Sequence, residues 1–363
     1  MQKNCIYIEG KNRSKNSNYL FIAKVTTEKN SVVDFCIAAA DLYKVFINGE
    51  SVFYGPSRTA KGYCIENKFS YPLKKGENTI AVLVSSYGVA SYYILKQDSF
   101  FSISFSIDAK KYDENDFCSY DFKERIKNVQ RFSFQRGFVE VYKQNTDFKK
   151  LINDYYRSGE KLPFKKGYTP EIISEIVPIS ILKKSVEGKL ISQGEFYIDK
   201  NKERCKDRSI FQVGDKFEGY YYDELYECLS DTVCSFSYNE TDYFRCLNNN
   251  RYYIYDFGRN ISGLIRLKLS VKKDAEIYVV FDEKLKKGVV DHLHDFSEGN
   301  FCCNIIKWSL TPGNYVCEAF EINTLKYLQL IAKSGELIVE KAEVVLVENP
   351  AAYSLKVKTD DKV

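Results

Sequence analysis

Residues 253–273, YIYDFGRNISGLIRLKLSVKK, restrict the possible folds more than any other stretch of this chain. Alternating aromatic and aliphatic residues break at Asp256-Phe257-Gly258-Arg259-Asn260, turn again at Gly263, and resume with Ile265, Leu267, Leu269 and Val271 on one side. Arg266, Lys268, Ser270 and Lys272 occupy the other side. A two-residue period is that of a half-buried antiparallel strand, because successive strand side chains point to opposite faces.

The rest of the chain repeats this pattern in shorter pieces. Residues 19–25 and 32–38 read as opening strands, and 43–47 alternate into Asn48-Gly49, a dipeptide suited to a tight hairpin, with 51–54 as the return strand. The run TIAVLV at 79–84 predicts a central strand covered on both faces, and 101–107 alternates again. Residues 108–131 are weakly patterned, whereas 137–142 reads as one more strand closing this first sandwich. Phe148, Leu151, Ile152 and Tyr155 fall at helical spacing, and Pro163, Pro170 and Pro178 then mark an extended connector. Further strands are expected at 186–196, 210–213, 276–281, 304–310, 325–332 and 341–347.

The reading is therefore all-β, with two β-sandwich domains at 1–146 and 186–350 joined by a short, partly helical connector at 147–185. The 29 tyrosines and 25 phenylalanines agree with it, since aromatic side chains favour pleated, half-buried surfaces. A formal charge of +4, from 53 basic and 49 acidic residues, is spread without a basic stripe, so nucleic acid is not an expected partner. Neither a secretory leader nor an apolar run of the ~18–20 residues that span a bilayer is found, so no membrane is expected. The 11 cysteines are scattered without a C-x-x-C, and Cys36, Cys64 and Cys246 sit in apolar runs. Reduced, buried thiols and a cytoplasmic location follow as expectations.

The ordered set of motifs resembles a known family. LYKVFINGESVFYGPSRTAKGY, LKKGENTIAVLV and Tyr87-Gly88-Val89 resemble the N-terminal jelly roll of bacterial α-L-rhamnosidases and related glycoside hydrolases. Residues 137–142 and Ile176-Val177-Pro178 are similar to that family's passage into its second domain. Asp256 to Asn260 with Gly263, Phe281-Asp282-Glu283-Lys284-Leu285, and Trp308 to Gly313 through Phe320 and Tyr327 are similar to its second sandwich. Lys326 stands where the family usually carries an arginine. The resemblance implies a galactose-binding-like jelly roll followed by a concanavalin-like sandwich. It also implies a catalytic α/α toroid starting just after Tyr353, so residues 351–363 are expected to open a domain missing from the chain. The implied function is that of a non-catalytic N-terminal portion, supporting that toroid or presenting rhamnose-containing glycans to it. The catalytic domain or a second copy of the chain would be its protein partner. The alternative is a stand-alone carbohydrate-binding or scaffold protein.

Candidate chemistry is sparse. Glycoside hydrolysis needs two facing carboxyl groups, and the neighbours Asp282 and Glu283 must point to opposite faces of a strand. Glu283 is left either to contribute to a site from one side or to hold a turn. His292 and His294 share a strand face but sit in a loop-like segment, and no metal or cofactor is expected. Asp256, Arg259 and Asn260 either pair carboxylate with guanidinium or fix a turn through backbone bonds. Trp308, with Tyr315 nearby, is either a sugar-stacking platform or core. Arg58 and Tyr63, after Gly55-Pro56, are loop candidates for ligand contact at one end of the first sandwich. No catalytic residue is assigned.

Overall fold

Asn48 and Gly49 both adopt positive φ, 54° and 86°. That is the backbone a two-residue hairpin demands, because its twist then matches that of the strands it joins. The strands Leu42–Ile47 and Glu50–Gly55 pair antiparallel across this turn, as expected. The computed structural model describes residues 1–10, 15–133, 135–174, 182, 184–195, 217–220, 247–286, 288–290 and 304–348. The expected strand at 210–213, Cys246, the two histidines and residues 351–363 lie outside them.

Two sheets form the first sandwich. One has five strands in the order Cys118–Asp121, Ser17–Thr27, Gly76–Ser86, Leu42–Ile47, Glu50–Gly55. Opposite it, a seven-stranded sheet includes Asn4–Ile8, Phe101–Ile107, Ser31–Ala39 and Tyr63–Leu73. The aromatic bias is spent between them: Phe21 stacks on Phe101 at 4.1 Å, and Phe69 stacks on Phe35 at 5.0 Å and on Phe53 at 4.5 Å. Offset pairs of this kind add ~0.5–1.5 kcal/mol each beyond the area they bury.

The other face of the five-stranded sheet is also covered. Ile80, Val82 and Val84 face the first core, whereas Ala81 and Leu83 join Leu20, Ile22, Leu42 and Tyr54 in a core that continues into the second half of the chain. Two-sided burial is the physical reason that 79–84 reads as an unbroken apolar run.

The second half is built on one ribbon, Arg251–Asp282, which pairs with Asn323–Leu346 along most of its length. Ile265, Leu267, Leu269 and Val271 are buried and Lys268 and Lys272 exposed, as the alternation requires, whereas Arg266 on that second side is half-buried and Ser270 buried. The ribbon doubles back, so that Tyr252 and Tyr278 both register with Ile331 from opposite sides. Its bend passes through Gly263, where a Cβ would lie 2.1 Å from the carbonyl oxygen of Val345, so only glycine fits.

The chain crosses between the halves more often than its pattern suggests. Val141–Gln144, expected in the first sandwich, runs parallel to Ile305–Leu310 in the eight-stranded sheet built on that ribbon, with Tyr142 opposite Trp308. The helix Phe148–Ser158 follows, capped by Asp147, and packs Phe148 on Phe46 at 4.4 Å. Phe164–Tyr168 and Glu171–Ser174 then return to the first sandwich, beside Asn4–Ile8 and Tyr63–Leu73. Pairing partners far apart in sequence made these crossings illegible. Among the described residues, no helix is long and apolar enough to cross a membrane.

Candidate functional site

Charged side chains buried at the junction weld the halves together. Lys44, 1% exposed, donates to Glu318 Oε1 at 2.8 Å and to the Ala319 carbonyl at 2.6 Å. Arg266 meets the other oxygen of Glu318 at 2.6 Å and reaches Glu343 at 3.4 Å. Beside this row, Arg125 donates to Asn18 Oδ1 at 3.1 Å, to Ser85 Oγ, and to the Tyr87 hydroxyl at 3.0 Å, with its guanidinium 4.5 Å from the Phe320 ring. Glu140 accepts the backbone N–H groups of Phe320 and Glu321 at 2.6 and 2.9 Å.

A hollow of about 390 Å³ lies next to Lys44. Two of its carboxylates, Asp147 and Glu318, are committed, Asp147 to the N–H groups of Lys149 and Val316 and Glu318 to cations.

The larger opening is a cleft of about 600 Å³ along the same junction, with walls from both halves. Arg58, Tyr92, Tyr93 and Arg136 come from loops of the first half, and Phe281, Asn304, Glu321 and Thr324 from the second. Glu321 is buried, accepting from the hydroxyls of Tyr87 and Tyr93, the latter at 2.5 Å, with Arg136 at 3.4 Å. Burial and then the Glu321 carboxylate hold the Tyr93 phenol above its ordinary range, so it remains a donor. Tyr92 stands 69% exposed at the mouth, its loop tied by a bond from its N–H to the Gln135 carbonyl at 3.2 Å. A guanidinium, an exposed aromatic ring and planar polar groups around one cleft are what hydrogen-bonding recognition of a polar, partly apolar small molecule requires.

A niche of about 20 Å³ opens off this cleft past Arg58 and Tyr93, and Asp41 lines it. Asp41 accepts the N–H of Tyr87 at 2.7 Å and that of Gly88 at 3.4 Å through Oδ2. Burial pushes its carboxyl up to about 7, only partly offset by those bonds. A carboxyl raised in the folded state favours the protonated form there. Its contribution is therefore full below the ordinary aspartate value and is lost as pH rises toward 7. Asp41→Asn is thus expected to be more stable than the parent to urea at pH 8, by about 2–4 kcal/mol, and to show little gain at pH 4. Equal gains at both pH values would contradict this.

The sequence candidates scatter. Of the seven, Arg58 alone is among the residues lining the cleft, and it is exposed. Tyr63 is 44% exposed in register with Glu171 on the first sandwich. Asp256 and Arg259 do not form the carboxylate–guanidinium pair: Asp256 accepts the Gly258 N–H at 2.7 Å, the turn-fixing alternative, and Arg259 lies 4.0 Å from Glu348. Asn260 is exposed in the same turn. Glu283 is exposed, and buried Asp282 accepts its N–H and that of Lys284 at 2.5 and 3.3 Å. Trp308 is core, 1% exposed and stacked on Tyr142 at 5.3 Å, so it cannot serve as an open platform. Sequence reasoning missed Asp41, Tyr92, Tyr93, Arg136 and Glu321. One signal was present: Glu321 interrupts an otherwise apolar Ala319-Phe320-Glu321-Ile322 run.

No protein-family model and no curated protein matches the sequence. Solved structures do match in fold. A GH78 family rhamnosidase of Bacillus sp. GL1 aligns with a TM-score of 0.74 and 12% identity over 96% of this chain and 55% of its own. The α-L-rhamnosidase from Aspergillus terreus aligns at 0.55 and 14% over 95% of this chain and 36% of its own. That of Streptomyces avermitilis, solved with L-rhamnose, aligns at 0.54 and 12% over 96% and 30%. The chain has the all-β fold of part of these rhamnosidases and spans about half of their length or less.

Proposed function

We propose that this chain is the non-catalytic β-sandwich portion of an α-L-rhamnosidase-like glycoside hydrolase. It supports and orients a catalytic domain and holds carbohydrate in the cleft at its junction. The observation that carries the reading is the extent of the likeness, nearly all of this chain against 55% or less of each rhamnosidase. The welded junction supports it, since a pedestal must not flex. The chemistry of the cleft also supports it: Glu321, the carboxylate in its wall, is buried and engaged by two phenols and a guanidinium, with no facing acid among the residues lining the cleft. A reducing, cytoplasmic setting belongs to the same proposal. It is supported by the free thiols of Cys5 and Cys64, which burial pushes up to about 12 and about 11.

The test is incubation of the purified chain with an aryl α-L-rhamnoside. Release at the buffer rate is expected. Release that scales with protein concentration and disappears in Glu321→Gln overturns the non-catalytic reading. In sugar titrations, Tyr92→Ala is expected to weaken binding about five- to tenfold by removing the ring at the mouth.

A further inference from the structure

The Asp41 niche has an unmet requirement. Asp41 is 5% exposed, and Oδ1, the oxygen not used by Tyr87 and Gly88, is buried with no hydrogen-bond donor among the described residues. Gln97 also lines the niche and its side-chain amide favours the ionised carboxylate, yet Oδ1 accepts no hydrogen bond from it. A buried acceptor left without a donor is costly, and the usual remedy is a water or a ligand group. The niche, about 20 Å³, exceeds the ~10–15 Å³ that one water-sized group needs. It communicates with the cleft, because Pro56, Arg58 and Tyr93 line both.

Charge decides which donor fits. Arg58 lines the niche and disfavours a metal ion beside it, and a single carboxylate is a poor cation site. A hydroxyl suits the size, the neutrality and the missing bond. Arg58, between niche and cleft, offers donors to an oxygen on the next carbon, and the exposed Tyr92 ring offers an apolar face farther out.

We propose that the niche is a subsite for one hydroxyl of a vicinal diol on a monosaccharide, with Asp41 Oδ1 as its acceptor and Arg58 as donor to the neighbouring oxygen. This rests on the reading of the cleft as a carbohydrate site and specifies the group recognised there. The hydroxyl donates to the ionised carboxylate, so binding tightens with pH across the range in which Asp41 titrates, about 7. Arg58, Cys64 and Tyr93 also face the niche. Burial raises Cys64 to about 11 and Tyr93 above the ordinary phenol range, so neither thiol nor phenol reproduces this dependence.

L-rhamnose, L-fucose, D-galactose and D-glucose are titrated by ligand-observed NMR against the intact chain, Asp41→Asn and Arg58→Ala, from about pH 5.5 to about pH 8. For the tightest-binding sugar, affinity should rise with pH in the parent. Asp41→Asn should weaken it about tenfold and leave a flat pH profile. A flat profile in the parent, or undiminished binding by Asp41→Asn, overturns the subsite; if Arg58→Ala still loses affinity in that case, the cleft reading stands. The parent profile serves as the test even if a variant misfolds. Failure of all four sugars to saturate the parent overturns subsite and cleft together.

Discussion

Replacing Glu318 with alanine should lower the unfolding free energy by about 3–5 kcal/mol, because it strands a charge inside the protein. Lys44 is 1% exposed, and Glu318 is the carboxylate it bonds, at 2.8 Å. Burial alone would raise the Glu318 carboxyl, but Lys44 and Arg266 hold it below its ordinary value. For a carboxyl depressed in the folded state, the stabilisation is present above the unfolded pKa and is lost as pH falls through the lower folded one. Removing both charges is expected to cost much less than removing one, because an apolar pair of similar volume avoids desolvation altogether. The double variant Lys44→Met/Glu318→Leu should therefore recover the part of the loss that comes from stranding Lys44, with Arg266 keeping Glu343 at 3.4 Å as its remaining partner. Urea unfolding followed by circular dichroism measures all three proteins. A single-variant loss under about 1 kcal/mol would show that the junction is not held by this pair.

Arg125→Met should destabilise by a similar ~3–5 kcal/mol and, unlike the first change, should also disturb the cleft. Arg125 is 2% exposed, with Asn18, Ser85 and Tyr87 on its guanidinium; burial opposes its charge, and Tyr87, Tyr142, Glu140 and Glu321 together more than offset that. Without it, the two buried carboxylates lose a shared counter-charge, and Tyr87, which donates to Glu321, loses its anchor. Lysine should not rescue, since a point charge cannot serve three acceptors spread over a planar fork. Unfolding midpoints together with sugar titrations test this. A variant that loses stability while keeping the affinity of the parent would separate Arg125 from the cleft.

How much was legible in advance depended on the range over which each feature is encoded. The hairpin at Asn48-Gly49 was readable because positive φ at two adjacent residues is a local demand that few side chains meet. The helix Phe148–Ser158 announced itself through spacing, and the Asp256 turn through its own side chain and glycine. By contrast, the short strands Lys110–Asp113 and Cys118–Asp121 fell in a stretch read as weakly patterned, since brief edge elements carry little periodicity.

The site itself was almost entirely hidden. Arg58, Tyr93, Arg136 and Glu321 come from four separate places in the chain, and nothing local to Tyr93 says that its hydroxyl will meet residue 321. Trp308 shows the converse, because an aromatic that looks available in sequence became core once 141–144 was laid beside 305–310.

By itself, the sequence determined the strand-rich class, the buried face of its longer alternating strands and the position of the Asn48-Gly49 hairpin, because period and backbone conformation are properties of neighbouring residues. Tertiary structure alone decided which strands lie side by side, which charges are enclosed at the junction, and that Asp41 keeps an unanswered oxygen beside Arg58. Burial and desolvation depend on what arrives from distant parts of the chain, and no local pattern encodes that.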